Sequence, residues 1–286
     1  MKPCRVCWRG GAIGALLVVL VVLSACGPKN DPILQLSAEE AMEMGRSWLE
    51  KKKYFKARQH LTRAFEASPN SPLGREALLL VGDTYFLQGG QANLIQAEAK
   101  YRDYLNRFPT SQRAAYAQLQ IGNALAQRVR KPDRDQSITE NAERAYREVI
   151  EVYPTSEYAA DAREQLAVVR NQLAEHEFTV GMFYIRFGLP QSAIQRFDGL
   201  LEDFPEYREK DKIYFFTGVA HNESGQPAEA LLLFDKLRRE FPESPYLKKI
   251  PKLKPPKAAP ATPAKPEAPE EPEADSADSV DSGDPS

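Results

Sequence analysis

Residues 181–205 read GMFYIRFGLPQSAIQRFDGLLEDFP. Gly181 lies in an amphipathic segment, Ala193 follows twelve residues later, Phe197 four after that, and Phe204-Pro205 closes the unit. The same order recurs along the chain. Gly45, Gly82, Gly122, Gly181 and Gly218 are followed by Pro69, Pro109, Pro154, Pro205 and Pro242, at separations of 24, 27, 32, 24 and 24 residues. Gly45 to Ala57 and Gly218 to Ala230 repeat the spacing of twelve. A large apolar residue stands four after each alanine position: Leu61, Tyr101, Tyr146, Phe197 and Phe234. An aromatic three after the glycine recurs as Trp48, Tyr85 and Tyr184, with Leu125 and His221 in the third and fifth units. Three identical separations out of five establish an internal repeat, and a period of this size is the signature of a stacked array.

The residue types explain the unit. Small residues allow two helices of a hairpin to approach closely, and the aromatics fill the space around them. The proline ends the second helix, because its ring cannot continue the hydrogen-bond ladder. The pattern resembles the tetratricopeptide repeat of about 34 residues. It predicts an all-α fold of about five tandem hairpins forming a superhelical solenoid, a binding surface by construction.

Departures from the period predict local features. Three extra residues between Gly82 and Ala97 fall in Gln88–Asn93 and read as a flexible loop. Eight extra between Gly122 and Ala142 fall in the charged segment 128–137, which holds Pro132. From Pro154 to Gly181 the chain has neither proline nor glycine in between, which predicts one long helix over roughly 157–187.

The ends differ from the repeats. Lys2, Arg5 and Arg9 precede the apolar run 12–23, which is too short for an ordinary membrane span and ends in Leu23-Ser24-Ala25-Cys26. This resembles a bacterial lipoprotein lipobox. It implies removal of residues 1–25, lipidation of Cys26 and, with Gly27 next, outer-membrane sorting. Cys4 and Cys7 form a C-x-x-C that lies inside the removed leader, so the mature chain keeps Cys26 alone. Residues 26–36 read as a lipidated tether and 37–250 as the repeat domain. Residues 251–286 carry nine prolines, eight acidic residues and no aromatic, a composition that predicts disorder.

The formal charge is −2 for the whole chain, −5 without the leader, and near −1 over residues 26–250. A balanced array does not advertise nucleic-acid binding, which requires a basic stripe. His60, His176 and His221 fall in different repeats without metal-ligand spacing. No nucleophile–base pair or phosphate-binding glycine loop stands out, so an enzyme is not expected and no cofactor beyond the lipid on Cys26.

The central stretch narrows the family. Residues 133–136 (Asp-Arg-Asp-Gln) precede Ala145-Tyr146-Arg147-Glu148-Val149-Ile150 and then Tyr153-Pro154-Thr155-Ser156-Glu157-Tyr158. Leu173–Glu177, Phe183-Tyr184, Gly188, Ala193-Ile194-Gln195-Arg196-Phe197 and Asp203-Phe204-Pro205 follow. Order and spacing resemble the BamD family, lipoprotein subunits of the outer-membrane β-barrel assembly machinery, across about residues 38–242. The resemblance implies a periplasm-facing scaffold of the outer membrane. Its C-terminal repeats grip the periplasmic domains of the barrel-forming subunit, and its N-terminal repeats engage the C-terminal segment of unfolded β-barrel proteins, with other assembly lipoproteins as further partners. It implies partner contacts at Arg196, Asp203 and Arg134. For an aromatic client segment ending in a carboxylate, the groove candidates are Trp48, Tyr85, Phe86 and Arg75. The alternative is a repeat lipoprotein that pilots a secretin or pilus complex.

Overall fold

The computed structural model describes residues 31–253, and among these every regular element is helical. Five hairpins follow one another: α1 (Ala38–Glu50) with α2 (Tyr54–Ala67), α3 (Pro72–Gln88) with α4 (Gln91–Arg107), α5 (Ala114–Ala126) with α6 (Ser137–Val152), α7 (Tyr158–Arg186) with α8 (Pro190–Asp203), and α9 (Lys210–Glu223) with α10 (Pro227–Glu240). Each helix packs on its neighbours in sequence. The first helices of hairpins one and two also touch, as do those of hairpins three and four. The expected leader, Cys26 and residues 254–286 of the acidic tail lie outside the described residues.

Local sequence sets the boundaries. Ser37 and Glu40 form a reciprocal capping box at the start of α1, with Glu40 N–H donating to Ser37 Oγ at 3.2 Å and Ser37 N–H to Glu40 Oε2 at 2.9 Å. Ser71 caps α3, where Pro72 occupies the first turn at no cost in hydrogen bonds. Phe108, Tyr153, Phe204 and Phe241 are the C-caps of α4, α6, α8 and α10, and each has left the helical region of backbone space. The proline that follows each of them disfavours the helical conformation there.

The glycine–aromatic register is the packing rule of the array. A Cβ built on Gly45, Gly82, Gly122 or Gly218 falls 2.5–2.7 Å from Leu61, Tyr101, Tyr146 or Phe234, and one on Gly181 comes closer still to Phe197. All five partners are fully or almost fully buried. Each hairpin thus closes on a side chain lying against bare backbone, a separation too small for any residue but glycine.

The first insertion is not the flexible loop that its sequence suggests. Only Gly89 and Gly90 link α3 to α4, both at positive φ (69° and 82°), while Gln91–Asn93 already belong to α4. The extra residues lengthen the helices, and two glycines suffice to reverse the chain. Residues 127–136 are a true insertion, but one tied down. Gln136 Nε2 donates to the carbonyls of Lys131 and Arg134 at 3.0 and 2.8 Å, and His176 Nδ1 on α7 meets Pro132 O at 2.5 Å. The described part of the expected tether, residues 31–36, is folded onto the first hairpin. The Asp31 carboxylate accepts from Ile33 N–H, Pro32–Gln35 form a 3-10 turn, and Arg63 Nε holds Leu36 O at 3.1 Å. At the other end Asn222 Nδ2 reaches Lys252 O at 3.3 Å, so the chain is still held to α9 there.

The long helix α7 joins two bodies of core. Its first half contributes Ala162 and Val169 to the cluster of hairpins two and three, and its second half contributes Ala174 to the cluster of hairpins four and five. Two cations fasten this junction, Lys212 buried and Arg170 partly so. Arg170 donates to Glu143 on α6 at 2.8 Å, to Glu206, and to the carbonyl of Asp203, with its guanidinium 5.0 Å from the Phe204 ring centroid. That cation holds the Glu206 carboxyl below its ordinary range. Lys212 Nζ on α9 pairs with Glu175 on α7 at 2.9 Å and with Glu209 at 2.7 Å, and it stands 4.1 Å from the Phe178 ring centroid.

Candidate protein-binding surfaces

A concavity runs along the first three hairpins. Its central part is a cleft of about 830 Å³ between the first turns of α3, the end of α4 and residues 109–113. Leu79, Leu80, Tyr104 and Phe108 form its apolar wall, and Arg75, Arg107 and Arg113 stand around it. A second cleft between α1 and α3 shares Pro72 and Glu76 with it, and carries Met42, Glu43, Arg46 and Glu50. A third, on the other side, shares Ser111 and Gln112 and is walled by Ala115, Val152, Tyr153 and Tyr158. The three adjoin as one groove along the first three hairpins.

The three central arginines have different freedom. Arg107 Nε is paired with Asp103 Oδ1 at 2.7 Å. Arg113 lies over Tyr116, 4.6 Å from the ring centroid, and donates to Tyr158 Oη at 3.2 Å. Arg75 stands 5.8 Å from the centroid of Phe108 and pairs with no carboxylate among the described residues. Behind the groove, Asp83 on α3 accepts from Tyr101 Oη at 2.7 Å and Tyr116 Oη at 3.0 Å, tying three helices together. Burial lifts the Asp83 carboxyl above its ordinary range, against the pull of the two phenols.

The sequence-derived groove residues separate in space. Arg75 lies in the central cleft. Tyr85 lines a different hollow with Phe55 and Leu34, and its ring is covered by the Arg58 guanidinium at 3.8 Å. Trp48 packs on the core of the first hairpins beneath Lys51 and Lys56, whose ammonium groups are 5.2 and 4.6 Å from the ring centroid. Phe86 packs against the central core cluster. Arg107, Arg113 and Tyr158 were not anticipated, although the sequence carries a signal for two of them. The segments Pro109-Thr110-Ser111-Gln112-Arg113 and Pro154-Thr155-Ser156-Glu157-Tyr158 occupy the same place in successive repeats, and each lines the groove there.

The three partner-contact candidates fall around α7 and α8. Arg196 is exposed on α8, with one ion pair to Glu177 at 3.1 Å. Arg134 is exposed in the inserted loop and loosely paired with Asp133 at 3.8 Å. Asp203 ends α8, and its carbonyl is held by Arg170. Pro132 of the loop and Arg196 meet adjacent residues, His176 and Glu177, so both surfaces border one stretch of α7. His60 is buried on α2 with Nδ1 unpartnered, and His221 meets Gln226 Oε1 at 2.8 Å.

Comparison with known proteins identifies the lineage. The family described as YfiO, outer membrane lipoprotein, matches residues 35–231. The putative outer membrane protein assembly factor BamD of Aquifex aeolicus is 34% identical over 206 residues, 71% of this chain and 66% of that protein. The BamD proteins of Rickettsia prowazekii and Caulobacter vibrioides are each 28% identical, over 71% and 66% of this chain and 80% and 62% of their own lengths. The aligned region thus spans just under two thirds of the Aquifex and Caulobacter relatives. Among solved structures, the TPR2AB domain of yeast Sti1 in complex with pHSP90 aligns over 72% of this chain and 78% of its own, at 14% identity and a TM-score of 0.40. The chain belongs to the YfiO family of outer membrane lipoproteins, among relatives named as outer membrane protein assembly factor BamD.

Proposed function

We propose that the chain is a non-enzymatic scaffold for the assembly of β-barrel proteins in the outer membrane, anchored through a lipid on Cys26 and facing the periplasm. The observation that carries the client-binding part is the groove of the first three hairpins, where Arg75 stands beside an apolar wall without an ion-pair partner. An extended segment with aromatic side chains and a terminal carboxylate suits that surface. The wall takes the rings, and the Arg75 fork takes the carboxylate in a bidentate bond. The relatives' names support the biological setting.

The partner-binding part rests on Arg196. Its pair with Glu177 is half exposed, so exchanging that carboxylate for one on the barrel-forming subunit sacrifices only about 0–1 kcal/mol. Arg134, in the loop whose Pro132 meets the adjacent residue His176, and Asp203, at the end of the helix that carries Arg196, are proposed as further contacts.

The test is affinity purification of the tagged, lipidated protein from detergent-solubilised envelopes, with Arg196→Glu and Arg75→Glu in parallel. A large barrel with periplasmic domains is expected in the wild-type eluate and is lost with Arg196→Glu. Arg75→Glu is expected to retain that barrel and to lose unfolded clients. Recovery of a secretin or pilus complex in place of the barrel would refute the assignment.

A further inference from the structure

The turn between α1 and α2 and the first residues of α2 read Lys51-Lys52-Lys53-Tyr54-Phe55-Lys56, and all four lysines are exposed. Phe55 is 66% exposed. On the same side the 3-10 turn Pro32–Gln35 presents Leu34, which is 59% exposed, and Ile33, Leu34 and Phe55 border one shallow hollow. Lysine stems and the Trp48 ring continue this surface, since Lys51 and Lys56 both lie over the indole. The acidic groups nearby are Asp31, Glu50 and Glu66, and Asp31 is occupied in capping Ile33. Cations therefore dominate around an apolar tip.

That composition is the one that binds a bilayer surface: apolar side chains enter the headgroup region, and lysines meet anionic lipid. Place supports the same occupant. The described chain begins at Asp31, five residues after Cys26. Five extended residues reach at most about 18 Å, so a lipid on Cys26 keeps Asp31, which lines the same hollow as Leu34 and Phe55, within that distance of the membrane. Lys52 also occupies a left-handed turn position, φ 55°, where the corresponding turns of hairpins two, four and five use glycine.

We propose that the tip of the first hairpin, Leu34 and Phe55 ringed by Lys51, Lys52, Lys53 and Lys56, seats on the anionic surface of the bilayer that holds the anchor. This rests on the lipid-anchored reading above and adds to it a second, reversible contact. A lipid tether alone leaves the array free to swing, whereas two contacts fix the orientation of its first hairpin.

The test uses the lipidated protein purified from envelopes and reconstituted into vesicles of phosphatidylethanolamine and phosphatidylglycerol. An environment-sensitive thiol label is placed at Phe55→Cys or, as a control on the last hairpin, at Leu232→Cys, where the native leucine is 71% exposed. Both positions are open enough to accept the label without unfolding. Vesicle flotation reports the anchor, and quenching by nitroxide-bearing lipid reports the seat. The protein is expected to float, with the label at 55 quenched at least about threefold more than that at 232. Lys52→Glu, Lys53→Glu and Lys56→Glu together are expected to remove about half of that quenching or more, as is salt at about 0.5 M. Equal quenching at both sites in protein that floats refutes the seat and leaves the anchor standing. Protein that does not float refutes the anchor and the proposal together.

Discussion

Replacing Gly122 with alanine is expected to destabilise the protein, although alanine is the better helix former. The added methyl falls 2.5, 2.7 and 3.0 Å from Cε1, Cδ1 and Cζ of Tyr146. Carbon atoms prefer about 3.5–4.0 Å, so the ring or the helix must move by about 1 Å. The ring has little room to do so. Tyr146 is fully buried, and its hydroxyl donates to Asn123 Oδ1 at 2.9 Å. Overpacking of this kind costs about 1–3 kcal/mol, and the gain in helix propensity returns about 1 kcal/mol, leaving a net loss of about 0–2 kcal/mol. The same substitution at Gly199, inside α8, meets no atom within 4 Å. There only the propensity gain acts, and stability rises by about 0.5–1 kcal/mol. Urea unfolding followed by helical circular dichroism resolves the pair, because a change of 1 kcal/mol moves the midpoint by about 0.3–1 M. The midpoint is expected to fall for Gly122→Ala and to rise for Gly199→Ala. Equal upward shifts in both variants would show that the hairpin does not close on the glycine, and the packing rule proposed for all five repeats would fail with it.

Two further outcomes follow from the buried polar groups. Lys212→Met removes the cation that Glu175 shares with the Tyr207 hydroxyl in the junction between α7 and α9, and is expected to cost about 1–3 kcal/mol in urea unfolding; adding Glu175→Gln recovers part of this, and a double variant no better than the single one would refute the pairing. Burial depresses the His60 imidazole below its ordinary value of 6.5, so its contribution is intact above that pH and is lost as pH falls below it, because the unfolded chain takes up the proton more readily. His60→Leu is therefore expected to flatten the decline of the urea midpoint between about pH 7 and pH 5, and an unchanged slope would place that decline elsewhere.

The repeat was legible because each of its parts has a local or short-range cause. Glycine, alanine and an aromatic at fixed spacings encode one hairpin, and a proline encodes its end, so the pairing of Gly122 with Tyr146 is implicit in the order of residues. The uninterrupted run before Gly181 likewise announced α7, observed at Tyr158–Arg186. The extra residues before Ala97 were misjudged as a loop because glycine content marks a turn without saying how long it is. Gly89 and Gly90 alone make the reversal, and the helices absorb the remainder.

By itself, the sequence determined the helical hairpin, its number of repeats and the close approach inside each one, because those depend on residues about 16 to 24 apart in the same unit. It did not determine which side chains share a surface. Trp48 and Tyr85 hold the same place, three residues after the repeat glycine, yet one packs on the core and the other lines a separate hollow, while Arg75, at a different place in the unit, opens into the central cleft. Which side of a first helix lines the groove depends on how one hairpin rotates against the next. That rotation is set by contacts between units, such as Asp83 with Tyr116 across 33 residues and Arg170 with Glu143 across 27. Charged and hydroxyl groups like these occur throughout the chain, and only the packed array decides which of them meet.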